Sequence, residues 1–470
     1  MTKLGLADRI FLIQESAETP QHVAGLAVFS LPDSAPDDYL ERLIATFQST
    51  RDFAEPFNHV LAHPALRSVA PSFVRLADED VDLEYHVRHN ALPRPGGERQ
   101  LGVLVSRLHS RPLDLTRPLW EVHLIEGLTG GRFAVYIKLH HALFDGIAGA
   151  RLLQKMLNTD PTDPTLTPPW TIGRRRGQSS RADRSVATAA KNQLATASGL
   201  VRRTSQMVRD MVLPSDPDLA APYRIPDLAV NGRVGQQRRV ATQTFEFDRV
   251  RALANRADVT VNDVFLAICA GGLRRYLDEV GALPDAGLVA GTPVSVRSGA
   301  TDASNNAFTI ATMNLRTDIA DPVERLQAIH RSSKATKESM DGLTKQAAIS
   351  FGALSFAPYV VQGLVGLGGR MKPPFNLVIS NVPGPIEPQY LAGSPLEMMA
   401  PLGVLSHGQG LFIAAFTIAG KMGLGFVGDR DSLPHLQRLA VYTGEALDEL
   451  EKQVAPAPVR RLRAKSAPKQ

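Results

Sequence analysis

The stretch YIKLHHALFDGIAGARLL, residues 136–153, sets an apolar run against two adjacent histidines, then Asp-Gly, then a helix-like pattern. In a strand, side chains alternate faces. That groups Phe133, Val135, Ile137, Leu139 and His141 on one side, and Ala134, Tyr136, Lys138 and His140 on the other. The first set is apolar until His141, so this imidazole is expected to be partly desolvated and neutral near pH 7, as a general base requires. His140 is expected to look outward with Lys138 and Tyr136. Asp145-Gly146 is expected to form a tight turn before the helix GIAGARLLQKML. Its carboxylate either orients the imidazole or pairs with a distant arginine, for which Arg297, ending the strand-like TPVSVR, is the candidate. On the residues alone two readings stand: a reaction centre, or a strand end followed by a polar turn. A metal site is disfavoured, because neighbouring strand residues point apart and no further His, Cys or Asp cluster has ligand spacing.

Outward from this stretch, the chain of 470 residues exceeds what one core usually serves, which predicts two domains. Before residue 160 the segments LADRIFLIQES and PDDYLERLIATFQS predict helices, and HVAGLAVFSL and FAVYIKLHH predict strands. The proline-rich NTDPTDPTLTPPW marks an edge. After about residue 240, TVNDVFLAICAGGLRRYLDEV predicts a helix capped by Thr260 or Asn262, and PHLQRLAVYTGEALDELEKQV a closing one. Between them GLVAGTPVSVRS, AFTIATMNL, FNLVISNVPGP, GLFIAAFTIAG and MGLGFVG predict strands. The expected division is 1–165, a linker at 166–235, 236–455, and a basic tail at 456–470. Segment 347–369, interrupted by Pro358 and Gln362, is expected to be a buried helix and a candidate cavity wall rather than a membrane span.

The formal net charge is +5, but residues 171–210 carry +7 and residues 455–470 another +5, so the remaining chain is acidic. The linker pattern from Val186 to Met211 predicts a weakly amphipathic basic helix. It serves as an exposed connector, as an attachment to anionic lipid, or as a nucleic-acid contact. The last is least supported, for no reading module accompanies the charge. The opening residues lack a secretory signal pattern, and the single Cys269 fits a reducing compartment and a core position. No Gly-x-Ser-x-Gly elbow occurs, and the glycines of GLGFVG (423–428) lie inside a strand pattern, against a dinucleotide site.

His140-His141-x-x-x-Asp145-Gly146 matches the HHxxxDG motif of CoA-dependent acyltransferases and peptide-synthetase condensation domains. Pro118-Leu119-Trp120, Asn262-Asp263 and Ser380-Asn381-Val382-Pro383-Gly384-Pro385 are more specific. With the opening and closing segments, the set resembles the bacterial wax ester synthase/acyl-CoA:diacylglycerol acyltransferase family from about residue 4 to 455. The resemblance implies a mixed α/β fold of two chloramphenicol-acetyltransferase-like domains joined by the basic linker, with the active site at their interface and a tunnel open to two substrates. It implies His141 as general base, His140 as a less essential neighbour, and Asp145 and Gly146 as mainly structural; the support of the loop by Arg297 is an expectation from its position alone. Pro118, Leu119, Trp120, Asp263, Ser380 and Asn381 are implied to serve the substrates. Asn262 is the candidate donor to the tetrahedral oxyanion, with Ser380 or Asn381 as its substitute. No cofactor is implied, the CoA thioester being a substrate.

The expected reaction moves a long-chain acyl group from acyl-CoA to a fatty alcohol or diacylglycerol, and the closing helix and HGQG (407–410) tilt the resemblance towards wax esters. The expected setting is cytoplasmic, with peripheral contact to the inner membrane or a lipid inclusion through the basic segments, and no nucleic acid. Amide formation of the condensation type and a catalytically idle lipid-coating protein are the alternatives.

Overall fold

The computed structural model describes residues 2–3, 6–69, 71–144, 146–173, 216, 218–295, 308–340 and 356–454. Asp145, Arg297, their expected ion pair, most of the linker including its expected helix, residues 347–355 and the tail lie outside these.

Three sheets organise the chain. A small one pairs β1 (Thr2–Lys3) and β3 (His59–Leu61) with β4 (Ser72–Arg75). The first large sheet has the order β12-β13-β2-β7-β6-β5: β12 (Tyr390–Leu391), β13 (Ser394–Leu402), β2 (His22–Ser30), β7 (Arg132–His140), β6 (Trp120–Leu128) and β5 (Val87–Ala91). The second has the order β10-β9-β11-β14-β15-β8: β10 (Phe308–Asn314), β9 (Val289–Ser295), β11 (Leu377–Pro383), β14 (Leu411–Ile418), β15 (Lys421–Asp429) and β8 (Arg238–Glu246). Both are mixed: β5 runs parallel to β6, and β11 parallel to both β9 and β14.

In chain order the helices are α1 (Leu6–Gln14), α2 (Tyr39–Ser49), α3 (Leu83–His86), α4 (Glu98–Ser110), α5 (Gly146–Lys155), α6 (Phe247–Ala257), α7 (Val261–Glu279), α8 (Pro322–Met340), α9 (356–364) and α10 (Leu436–Gln453). The second core lies where α6, α7, α8 and α10 meet the second sheet, with Phe265, Ile268, Phe426 and Leu447 fully buried. Cys269 is buried and unpaired there. At the start of α7 the cap is Thr260, whose Oγ1 accepts from Asp263 N (3.1 Å) while the Asp263 carboxylate accepts from Thr260 N (3.0 Å).

Sheet membership crosses the expected division of the chain. Strand β13 pairs antiparallel with β2, so residues from the second half complete the first sheet. It also crosses β15 closely, which accounts for the glycines of GLGFVG: a Cβ at Gly423 or Gly425 would overlap the main-chain oxygens of Met399 or Pro401. A second seam joins α4 to β8, with Ser106 Oγ accepting from Val240 N (2.9 Å) and Ser110 Oγ from Arg238 N (2.8 Å).

The outward orientation expected for Tyr136, Lys138 and His140 is corrected here. All three are buried: α4 and the residues ending it lie over Tyr136 and Lys138, and Glu15 lies against His140. Tyr136 Oη meets His109 Nδ1 (2.9 Å), and Lys138 Nζ lies 2.9 Å from the Glu121 carboxylate and donates to the carbonyls of Leu108 and Arg111. A buried ammonium is tolerated because it is paired and hydrogen-bonded.

Candidate functional site

The double histidine closes β7. His140 N donates to Leu119 O (3.1 Å) and His141 N to Gln21 O (2.8 Å), so the neighbouring strands β6 and β2 both hold the strand end. The chain then turns, with Leu143 N and Phe144 N both donating to His140 O. Phe144 is buried and sits 5.0 Å from the Phe57 ring, pinning the loop before α5 begins at Gly146.

His141 is half-buried and stacks on Phe11 of α1, with ring centroids 3.9 Å apart and planes 17° off parallel. Its Nδ1 is shielded from solvent and has no hydrogen-bond partner of good geometry. Burial pushes the imidazole down to about pKa 4; its own main-chain carbonyl opposes this, and His140 adds to it. The ring is therefore neutral at pH 7 and available to take a proton.

His140 is held differently. Its Nδ1 accepts from Ala142 N (3.1 Å), which leaves Nε2 as the protonated nitrogen, directed to the buried Glu15 carboxylate at 3.4 Å. Glu15 also accepts from Gln21 N (2.5 Å), and the Gln21 carbonyl is the group that holds His141 N. One carboxylate thus ties both histidines to the start of β2. Glu15→Gln is expected to lower kcat by about ten- to a hundredfold with KM little changed, since it loosens the loop without touching a binding wall. Steady-state kinetics check this, and an unchanged kcat removes Glu15 from the site. The signal was present in the sequence, because Glu15 follows Phe11 by four residues and so shares its face.

The remaining expected residues fall into three groups. Leu119 and Trp120 are buried in the core, where Trp120 Nε1 donates to Phe57 O (2.7 Å) and the indole stacks on Trp170 and His86. Leu119 reaches the histidine loop through its carbonyl, which accepts from His140 N, and Pro118 precedes the pair in the turn into β6. Asn262 and Asn381 come together, Asn381 Nδ2 donating to Asn262 Oδ1 (3.4 Å), and Ser380 faces the main cavity. Asp263 is fully buried in the cap of α7, with His330 Nδ1 2.8 Å from its carboxylate. Among the described residues no cluster of His, Cys, Asp and Glu could hold a metal ion.

Two cavities approach the loop. The larger, about 660 Å³ including its mouth, opens at the junction of the two large sheets and is almost wholly apolar. Gly25 and Leu139 of the first sheet, Gly149 and Leu153 of α5, and Ser380 and Phe416 of the second sheet are among its walls, and Gly146 stands at its edge. Gly149 has no packing reason to be glycine: a Cβ there would meet only Leu139, at 3.9 Å. A helix-interior glycine costs about 1 kcal/mol relative to alanine, so what it provides is the empty space itself. The smaller cavity, about 360 Å³, is polar, with Gln14, Thr19, Gln21, Tyr359, Ser406 and His407 on its walls. Segment 347–369 was expected to be buried. Its described part instead leaves Val361, Leu364, Val365 and Leu367 exposed, and of the two cavities it lines the polar one, through Tyr359, Gly363 and Gly368.

Two mixed sheets with a histidine-bearing loop at their junction define the two-lobed architecture shared with condensation domains. A starter condensation domain of rhizomide synthetase, crystallised with C8-CoA and Leu-SNAC, matches at TM-score 0.53 over 97% of this chain and 94% of its own, at 13% identity. Far nearer is the wax ester synthase/diacylglycerol acyltransferase from Marinobacter aquaeolei, with TM-score 0.78, 35% identity and coverage of 97% and 100%. Residues 4–265 match the wax ester synthase/diacylglycerol acyltransferase catalytic domain, and residues 304–451 the corresponding C-terminal domain. A Mycobacterium tuberculosis protein designated a diacylglycerol O-acyltransferase is 42% identical over 95% of this chain and 97% of its own. The O-acyltransferase WSD of Acinetobacter baylyi is 36% identical over 97% and 98%. The chain belongs to the wax ester synthase/diacylglycerol acyltransferase family.

Proposed function

We propose that this protein transfers a long-chain acyl group from acyl-CoA to the hydroxyl of a fatty alcohol or diacylglycerol, with His141 as general base. The observation that carries this is a neutral, half-buried imidazole at the end of a strand whose Leu139 lines an apolar cavity. The names of the relatives support the substrate classes.

In the reaction, His141 takes the hydroxyl proton as the oxygen attacks the thioester carbonyl. The resulting oxyanion is met by a side-chain amide, for which the Asn262–Asn381 pair beside Ser380 supplies the candidates. Collapse of the tetrahedral intermediate breaks the C–S bond, and the imidazolium returns its proton to the departing CoA thiolate. No acyl-enzyme is required. Release of free thiol from hexadecanoyl-CoA, with hexadecanol and diacylglycerol in competition, tests the reading and ranks the acceptors. Silence with both overturns it.

The apolar cavity suits the acyl chain, since each buried CH₂ contributes about 0.8 kcal/mol of transfer free energy. Gly149→Leu is expected to fill part of it and shift preference by tenfold or more from hexadecanoyl-CoA towards octanoyl-CoA, read as the ratio of kcat/KM values. An unchanged ratio means that the chain lies elsewhere.

A further inference from the structure

Exposed apolar side chains are ordinary when single and informative when clustered. Among the described residues, Val361, Leu364, Val365, Leu367 and Met371 are 40–62% exposed within one short stretch of chain. Two others, Leu66 and Val69 (76% exposed), stand on a turn that runs along α1, where Arg9 donates to Val69 O (3.1 Å) and Arg67 to Glu15 O (3.3 Å). The remaining exposed large hydrophobics, Val103, Val280, Ile386 and Val441, are far apart in the chain.

Both groups pack against α1. The helix α9 meets the end of α1 so closely that a Cβ on Gly363 would lie 3.2 Å from Gln14 Nε2. On its inner side α1 presents Phe11 to the His141 ring. The patch is therefore one helix away from the general base, and the polar cavity opens beside it between Gln14, Gln21 and Tyr359.

The charge around it is positive. Arg370 and Lys372 flank Met371; Arg370 is exposed and has no side-chain partner among the described residues, while Lys372 donates to Ile225 O and pairs with Asp227. The chain following the +7 stretch of residues 171–210 rejoins the fold at this place: Tyr223 N donates to Pro374 O, and Ile225 packs with Phe375 and Phe356.

We propose that the face formed by residues 361–371 and the turn carrying Leu66 and Val69 docks the protein on an anionic lipid surface, apolar side chains entering the headgroup boundary and Arg370 with Lys372 meeting the phosphates. That this docking delivers a lipid acceptor to His141 rests on the acyl-transfer reading; the docking itself does not.

The test uses the full chain and sedimentation with phosphatidylcholine vesicles, with and without phosphatidylglycerol. The wild type is expected to favour the anionic vesicles. Leu364→Glu combined with Val365→Glu is expected to weaken partitioning by about tenfold or more, through lost burial and added like charge. Val441→Glu, on α10, is expected to leave partitioning unchanged, and thiol release from a short, water-soluble acyl-CoA and alcohol is expected to persist in the double variant. Wild-type partitioning by the double variant overturns the proposal, because the basic segments would then suffice. Equal loss in Val441→Glu, or loss of turnover on the soluble pair, overturns it as well. Partitioning itself is read without turnover, so failure of acyl transfer by the wild type on every acceptor would leave the comparison of wild type, double variant and Val441→Glu standing, with the circular dichroism spectrum of the double variant taking the place of the soluble-pair control.

Discussion

His141→Ala is expected to lower kcat for thiol release by about 10²–10⁴-fold, the range general-base action supplies. The fold should survive, since the ring is half-buried and its main structural contact is the stack on Phe11, worth about 1 kcal/mol. Substrate affinity should also hold, because the apolar cavity walls are untouched. The two histidines are not equivalent: His140 Nδ1 accepts from Ala142 N and its Nε2 is fully enclosed 3.4 Å from the Glu15 carboxylate, whereas the His141 ring is only half-buried. An alanine variant at 141 that retains wild-type kcat would transfer the base role away from this ring. Because burial holds the His141 pKa near 4, turnover should be flat through neutrality and fall only as the ring is protonated towards that value.

Folding stability is expected to fail at a higher pH than that. His86 and His109 are buried neutral, burial pushing them down to about 4 and about 3, while their hydrogen bonds to the carbonyls of Trp120 and Gly403 oppose the shift. Their folded pKa values lie below the unfolded value of about 6.5, so the unfolded chain takes up protons first as pH falls. The stability present above pH 6.5 is lost as the pH descends towards 4, by about 2 kcal/mol per histidine at pH 5. Burial lowers His22 well below its ordinary value too, with the same sign. Two such groups together amount to about 4 kcal/mol, a large fraction of a typical domain's stability. Urea unfolding at pH 7.5 and pH 5 checks this, and His109→Gln should flatten the slope by about one proton. Equal midpoints at the two pH values would mean that these rings are already protonated in the native state.

The site was legible where chemistry and local periodicity coincide. The strand FAVYIKLHH, the α5 pattern and the cap of α7 follow from short-range rules, and the structure has each of them; the chain turns at residues 141–143, while the turn expected at Asp145-Gly146 falls on Asp145, outside the described residues. Alternation along β7 sorted its side chains into two faces but carried no information about what covers each face. Lys138 and Tyr136 read as outward because their partners, Glu121 and His109, lie in other elements. Glu15 was passed over because it lies just past a short helix and its partner is more than a hundred residues away. Strand β13, SPLEMMAPL, carries Pro395, Pro401 and a central Glu397, which mask a strand pattern. The cavity could not be read at all, since its walls come from both large sheets and α5.

The exchange of β13 into the first sheet also fixes the order in which the molecule can be completed. During synthesis β2 and β7 can pair early, but β2 keeps an open edge until residue 402 has left the ribosome, some 370 residues later. Unpaired edges recruit other chains, and closing so long a loop is slow. A truncated chain ending near residue 165 would therefore be exposed to edge-to-edge aggregation, and the two lobes, though built around separate cores, mature as one cooperative unit.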